Sequence, residues 1–314
     1  MTKQWIVLAV STLMLMCGCS SQSGSNGNGN GDFKYFVVFS QCNNAEPYRA
    51  AQNKRIEELF AQNPEVKLVI YDGQADAAKQ ISQVENAILQ KPDLLIVAPL
   101  ERNALSDVMG RAMDAEIPTI CLERDIVEPN YTTYISADNV AIGRLAGQFI
   151  VDHLTEKHGE PKGALVEITG MKGVQGGTDR HNGAFEVLDK YPDIKAVHQA
   201  TGNWFQGEAT ARMEEALSAN AQIDVVYAHN DPMAYGAYLA AKEANRADGI
   251  AFVGVDGLPA EGEQYVTDGI LAASFEYPLC VDKAHEVGMK LLTDPSFTPE
   301  KTYILESRAI IPEK

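Results

Sequence analysis

Twice in this chain a run of aliphatic and β-branched residues is opened by an aspartate and stopped by a polar turn. The two runs are "DLLIVAPL" from Asp93 and "DVVYAHND" from Asp224. Each comes third among the strands of a series of alternating strand and helix patterns, and this duplication constrains the fold more than any other feature. In the first series "YFVVFS" leads into a helical stretch near Arg49 to Gln62, then "VKLVIYDG", then "AAKQISQVENAILQ" with Ile81, Val84, Ile88 and Leu89 on one face. "LSDVMGRAMDAEI" repeats the helical spacing before the strand "PTICLE". The second series runs "GALVEITG", a helix beginning near Asp179, "IKAVHQ", "GEATARMEEALSA", "DVVYAHN", a helix from Pro232 and "IAFVGVD". Strands that alternate with helices form parallel sheets covered by helices, and the apolar stripes are core. The expected fold class is α/β, with two doubly wound, Rossmann-like parallel-sheet domains joined by a multi-strand hinge.

The segment "YISADNVAIG" between the halves is a candidate hinge, and "AASFEYPL" carries the chain back to the first domain. The expected organisation is a leader at 1–18, a tether at 19–32, one lobe of 33–138 plus 277–303, and a second of 139–276 plus 304–314.

At the N-terminus "MTKQWIVLAVSTLMLMCGCSS" has Lys3, an apolar run from Trp5 to Met16, and Gly18 directly before Cys19. About 12 apolar residues fall short of the ~20 that span a bilayer, so the run is read as a secretory signal peptide. It resembles a lipoprotein signal, with Cys19 as the lipidation site. The expected protein is therefore exported and held at a membrane by lipid alone. "SSQSGSNGNGNGD" then reads as a flexible polar tether.

Lys and Arg total 26 against 43 Asp and Glu, a net charge of −17 that opposes binding to phosphate backbones and excludes nucleic acid as a partner. Without Cys17 and Cys19 the exported fold keeps Cys42, Cys121 and Cys280. Three cysteines allow one disulfide at most, and their spacing matches no zinc site, so neither a metal nor a cofactor is expected.

In open α/β sheets ligands sit at the carboxyl ends of strands. Those ends here offer Gln41, Asn43 and Asn44 with Tyr48 and Arg49, Glu123 with Arg124, Arg180, Asn203 with Trp204, Asn230, Asp256 and Glu276, of which Gln41, Asn43 and Asn203 are the weaker candidates. Carboxylates accept from neighbouring hydroxyls, guanidinium groups donate in a fixed fork, and aromatic faces cover the C–H side of a sugar ring. Each also has a structural alternative: Glu123 and Arg124 as a solvated charge run, Arg180 paired with Asp179, Trp204 as a core aromatic. At "HNDP" the sequence reads Asp231 as the helix N-cap with proline following, leaving Asn230 for a ligand.

Taken in order, "IPTICLERD", "ISADN", "TDRHNGAF", "VYAHNDPMAYGA" and "VGVDG" resemble the type I periplasmic sugar-binding proteins of ABC importers, near the ribose-binding group and nearer the galactofuranose-binding one. The resemblance runs from about Phe33 almost to the C-terminus. It implies that Asn230, Asp256 and Arg180 hydrogen-bond a sugar, that Glu123 and Arg124 contact it, and that Tyr48 and Trp204 pack on it. Glu276 stands where the galactofuranose type also has Glu. Two departures are Glu123, where the family usually has Asp, and Tyr48, where the galactofuranose type has Trp. Implied partners are a monosaccharide, most plausibly a furanose, and an ABC permease, the receptor acting as a monomer.

A sensor feeding a chemoreceptor or histidine kinase is the alternative on the same fold. An enzyme is disfavoured, since no G-x-S-x-G elbow, Walker loop, H-E-x-x-H or strand-linked dinucleotide fingerprint occurs. A DNA-binding repressor is disfavoured too, because a leader and tether stand where its helix-turn-helix would lie.

Overall fold

In the computed structural model, which describes residues 33–312, the two aspartates are used alike. Phe36 donates its N–H to Asp93 Oδ2 at 2.7 Å, and Ala164 donates to Asp224 Oδ2 at 2.9 Å. Each carboxylate thereby pins the first strand of its half to the third. The leader, the tether and Cys19 lie outside the described residues.

The first half alternates β1 (Tyr35–Gln41), α1 (Pro47–Phe60), β2 (Val66–Asp72), α2 (Ala77–Gln90), β3 (Leu94–Val97), α3 (Arg102–Asp114), β4 (Thr119–Leu122) and β5 (Thr133–Ala137). The second follows with α4 (Asn139–His158), β6 (Gly163–Thr169), α5 (Gln175–Leu188), β7 (Ile194–Thr201), α6 (Gln206–Ala219), β8 (Val225–Ala228), α7 (Asp231–Glu243), β9 (Ala251–Asp256), α8 (Gly262–Thr267) and β10 (Ala273–Glu276). The chain then returns α9 (Val281–Thr293) and β11 (Thr302–Leu305) to the first lobe and closes with β12 (Ala309–Ile310) in the second.

Each lobe holds a six-stranded sheet, in the orders β11-β5-β4-β3-β1-β2 and β12-β10-β9-β8-β6-β7. The pairings are parallel except that of β10 with β12. Corresponding strands occupy corresponding places, so both lobes reverse strand order next to their first strand and open a crevice there. Strand alternation fills both faces of the first sheet. Val37, Leu94 and Ile96 pack towards Ile56 and Val287 of α1 and α9, whereas Val38, Leu95 and Val97 pack towards Val84, Leu105 and Met109 of α2 and α3. Cys42, Cys121 and Cys280 are buried free thiols.

Two boundaries differ from the sequence reading. The final crossing was expected at 303/304 but falls between Leu305 and Ala309, because Ile304 and Leu305 still pair with Ser136 and Ala137 of the first sheet. Helix α5 was expected near Asp179 but starts at Gln175, and its first turn contains Gly176 and Gly177. Helices α4 and α5 meet backbone to backbone. A Cβ on Gly143 would collide with the Arg180 carbonyl, and one on Gly183 with the Val140 carbonyl.

Candidate functional site

A cavity of about 390 Å³ opens between the carboxyl ends of the two sheets. Of the residues singled out from sequence, Tyr48, Arg49, Glu123, Arg124, Arg180, Trp204, Asn230 and Asp256 line it, while Gln41, Asn43, Asn44, Asn203 and Glu276 do not. Asn44 is exposed and accepts a hydrogen bond from Asn53, because the loop after β1 turns its neighbour Asn43 inward instead. Glu276 is drawn away by Arg308, whose Nε donates to it at 2.6 Å, and the next residue, Tyr277, takes the place in the wall. Successive side chains of extended backbone point to opposite sides, so one position decides which residue reaches the cavity.

In the first lobe the wall is an ion network. The Arg49 guanidinium donates to the Glu123 carboxylate and, at 3.1 Å, to Gln52 Oε1. Arg124 approaches Glu123 to 3.9 Å and donates to the Leu100 carbonyl at 3.2 Å. Glu123 follows directly on β4 with φ at +66°, and its carbonyl is gripped by the hydroxyls of Tyr134 and Ser136 at 2.9 and 2.8 Å. Left-handed backbone at a non-glycine residue costs about 1–3 kcal/mol and aims the side chain into the cleft. Burial pushes the Glu123 carboxyl up, but Arg49 and Arg124 together hold it below its ordinary range. The Tyr48 hydroxyl donates to the Pro278 carbonyl at 2.8 Å, which leaves its ring beside the cavity.

The second lobe's wall is built differently. The Arg180 guanidinium lies 4.9 Å from the Tyr277 ring centre and 5.6 Å from that of Trp204. It donates to the His229 carbonyl and, at 2.9 Å, to Asn139 Oδ1. Asp256 lies 3.9 Å from it. Burial raises the Asp256 carboxyl well above its ordinary value, Arg180 pulls against this, and Asp231, Glu46 and Glu123 add to the rise. Asp256 and Trp204 also sit at positive φ, +120° and +74°. Trp204 is buried rather than an exposed platform, and its indole N–H has no partner.

The turn "HNDP" departs from the sequence reading. Asn230, not Asp231, caps α7: its Oδ1 accepts from the Met233 N–H at 3.0 Å while its Nδ2 donates to the Trp204 carbonyl at 3.0 Å. Asp231 is the first helical residue and turns inward, accepting from the Gly257 N–H and the Ser274 hydroxyl, both at 2.7 Å. Burial raises its carboxyl to about 7. Asn230 therefore meets the cavity with the part of its hydrogen-bonding capacity that the cap and the Trp204 turn leave over.

Sequence reasoning passed over Glu46, Asn139 and Tyr277, all of which line the cavity. Tyr277 stands in the crossing after β10 and shares a 3.1 Å hydrogen bond with Ser136 of the first lobe. Its signal was an aromatic in "FEYPL"; Glu46 and Asn139 lie in loop-to-helix turns that strand patterning does not mark.

Such a cleft, with charged forks and aromatic faces, offers the donors, acceptors and apolar surface that a polyhydroxylated molecule needs. Comparison with known proteins agrees with the architecture. Residues 36–278 match the family described as periplasmic binding protein domain. The galactofuranose-binding protein YtfQ of Escherichia coli (strain K12) is 32% identical over 286 residues, covering 88% of each chain. Among solved structures, the fructose binding periplasmic domain of a hybrid two component system is 33% identical with a TM-score of 0.82, covering 88% of this chain and 90% of that one. A galactofuranose binding protein is 30% identical, also with a TM-score of 0.82, over 88% and 95%. Two parallel α/β lobes joined by three crossings, an interlobe cleft and these matches place the chain in the periplasmic binding protein family, with the type I fold.

Proposed function

We propose that the chain is an exported receptor for a neutral monosaccharide, most plausibly a furanose, which it holds between its lobes and presents to an ABC permease. The observation that carries this is the cleft wall, where Arg49 pairs with Glu123 and Arg180 stands 3.9 Å from Asp256, so that charges of both signs alternate instead of forming a patch of one sign. Paired forks still offer donors and acceptors to hydroxyls, whereas a phosphate or carboxylate would have to displace Glu123 or Asp256. Tyr48, Trp204 and Tyr277 supply the aromatic surface that a sugar's C–H face needs. The named relatives that bind galactofuranose and fructose support the ligand class. Lipid anchoring through Cys19, action as a monomer and binding without enzymatic turnover or a cofactor complete the proposal.

Calorimetry of the tethered chain against pentoses and hexoses tests it: micromolar or tighter binding of at least one neutral sugar is expected. Binding only of amino acids or sugar phosphates overturns it. Intact mass of the membrane-bound protein is expected to show acylation on a chain beginning at Cys19, and recovery of the full Met1 chain would remove the anchor.

A second reading has its own support. The 33% identical periplasmic domain belongs to a hybrid two component system, so a sensor partner fits the same cleft. Co-purification of the sugar-loaded protein with a permease or with a membrane kinase separates the two.

A further inference from the structure

At the start of α1, Glu46 occupies the N-cap position, where a carboxylate ordinarily accepts from the first-turn N–H groups, yet its side chain caps nothing. It is turned towards the cavity by Asn43. The Asn43 Nδ2 donates to Glu46 Oε1 at 2.6 Å, and the Asn43 Oδ1 accepts from the N–H groups of Ala45 at 3.0 Å and Glu46 at 3.3 Å. The amide is thus fixed on both sides and holds one oxygen of the carboxylate. The other oxygen accepts no hydrogen bond from the protein and is not sealed from the cavity.

Glu46 differs from the other inner carboxylates. Glu123 has Arg49 and Arg124, and Asp256 has Arg180, but among the described residues Glu46 makes no ion pair although it is only 8% exposed. A carboxylate oxygen at a cavity wall with no protein donor is open to a bound group that can donate to it. Glu46 and Glu123 both add to the negative potential around Asp256, and although Arg49 also feels Glu46 it makes no ion pair with it, so a further anion gains no free cation there. A hydroxyl hydrogen meets the need: it satisfies the acceptor and brings no further negative charge.

We infer that Glu46 is a specificity-determining residue of the cleft, taking a hydroxyl hydrogen of the sugar through the oxygen that Asn43 leaves free, and that Asn43 is its positioning residue. The inference rests on the sugar-binding reading above.

The test uses the full chain, its Glu46→Ala, Glu46→Gln and Asn43→Ala variants, and calorimetry with D-fructose, D-ribose, L-arabinose and D-galactose, followed by monodeoxy derivatives of whichever sugar binds best. Glu46→Ala is expected to weaken that sugar by roughly ten- to a hundredfold, the worth of a charge-assisted hydrogen bond. It is also expected to abolish the discrimination that the unaltered protein shows against one monodeoxy derivative, which loss of a merely structural residue would leave in place. Glu46→Gln keeps the shape and an acceptor, so it carries the test if the alanine variant does not fold, and its expected loss is smaller. Asn43→Ala is expected to narrow the same discrimination without erasing it. Equal affinity of Glu46→Ala and the unaltered protein, or an equal loss on the sugar and on every deoxy derivative, overturns the inference while the sugar reading stands. No binding of any of the four sugars by the unaltered protein overturns both.

Discussion

The two walls of the cleft carry similar residues in opposite states. In the first lobe Arg49 closes directly on Glu123, with Arg124 3.9 Å away, so that pair is part of how the lobe is held together. In the second, Arg180 is held by a backbone carbonyl and Asn139 and rests beside two aromatic rings, with Asp256 only at the edge of pairing distance. The first wall is the more finished of the two in its one tight ion pair, although the Nε atoms of Arg49 and Arg124 have no partner, and the second holds its arginine and carboxylate further apart. Substitution should therefore strike stability first on one side and affinity first on the other.

The comparison is broken most forcefully at Glu123. Glu123→Ala leaves Arg49 buried without its partner, and removing one member of a buried pair costs about 3–5 kcal/mol. The unliganded melting temperature is expected to fall by about 5–15 °C. A loss of affinity with unchanged melting would show that the first wall is no more finished than the second. Next comes Arg180→Ala, for which titration is expected to show a ten- to hundredfold loss of sugar affinity, about 1.5–3 kcal/mol, with a smaller change in unliganded melting than at Glu123.

A third effect separates the lobes by pH. Beneath the second wall Glu167 accepts from His181 and His229, and although burial opposes it these bonds hold its carboxyl at about 2. A depressed carboxyl contributes stability above its ordinary 4.5 and loses it as pH falls towards 2. His181, raised by its bond to Glu167, contributes below its ordinary 6.5 and loses that contribution as pH rises through its raised value. His229, lowered by burial, works the other way, because the unfolded chain takes up a proton below 6.5 that the folded one refuses. Asp231, raised to about 7, and Asp256, also raised, take up protons in the folded state before the unfolded chain does. Melting temperature is therefore expected to rise from pH 7 to 5 and then to fall on the acid side as Glu167 loses its contribution below 4.5. Glu167→Gln should flatten the acid limb by on the order of 1–3 kcal/mol.

Smaller still, Asn230→Ala removes the cap of α7 and the tie to Trp204, and loss of an N-cap costs about 1 kcal/mol. A melting shift of a few degrees should accompany its loss of affinity. Arg308→Ala, at an exposed pair with Glu276 beside the last crossing, is expected to move unliganded melting by less than about 1 kcal/mol. A larger change would mean that this pair, and not the cleft walls, governs how the lobes stand.

Most of the fold was legible because continuous apolar runs mark strands buried on both faces, helical stripes alternate with them, and the paired aspartates marked the repeat. The site was legible wherever a side chain sits at a strand's end. It was not legible where the choice fell between neighbours. In "HNDP" Asn230 and Asp231 are both competent caps, and only the Ser274 hydroxyl and the Gly257 N–H, distant in sequence, draw Asp231 inward. In "FEYP" the acid looked like the ligand group, yet Arg308 from the final strand crossing claims Glu276 and leaves Tyr277 to the cavity. Asn43 and Asn44 are resolved the same way, by Glu46 on one side and Asn53 on the other.

The glycine contact between α4 and α5 has a mechanical meaning. Helix α4 begins one residue beyond the first crossing, at Asn139, and Gly143 on its first turns rests on the carbonyl of Arg180 itself. With Asn139 also holding the guanidinium, there is no compliant layer between the hinge and the arginine. If the lobes turn about Asp138, Arg180 is carried with α4 and α5 as one rigid body. A ligand that grips that arginine therefore pulls on the framework of the second lobe and not on a side chain that can yield alone.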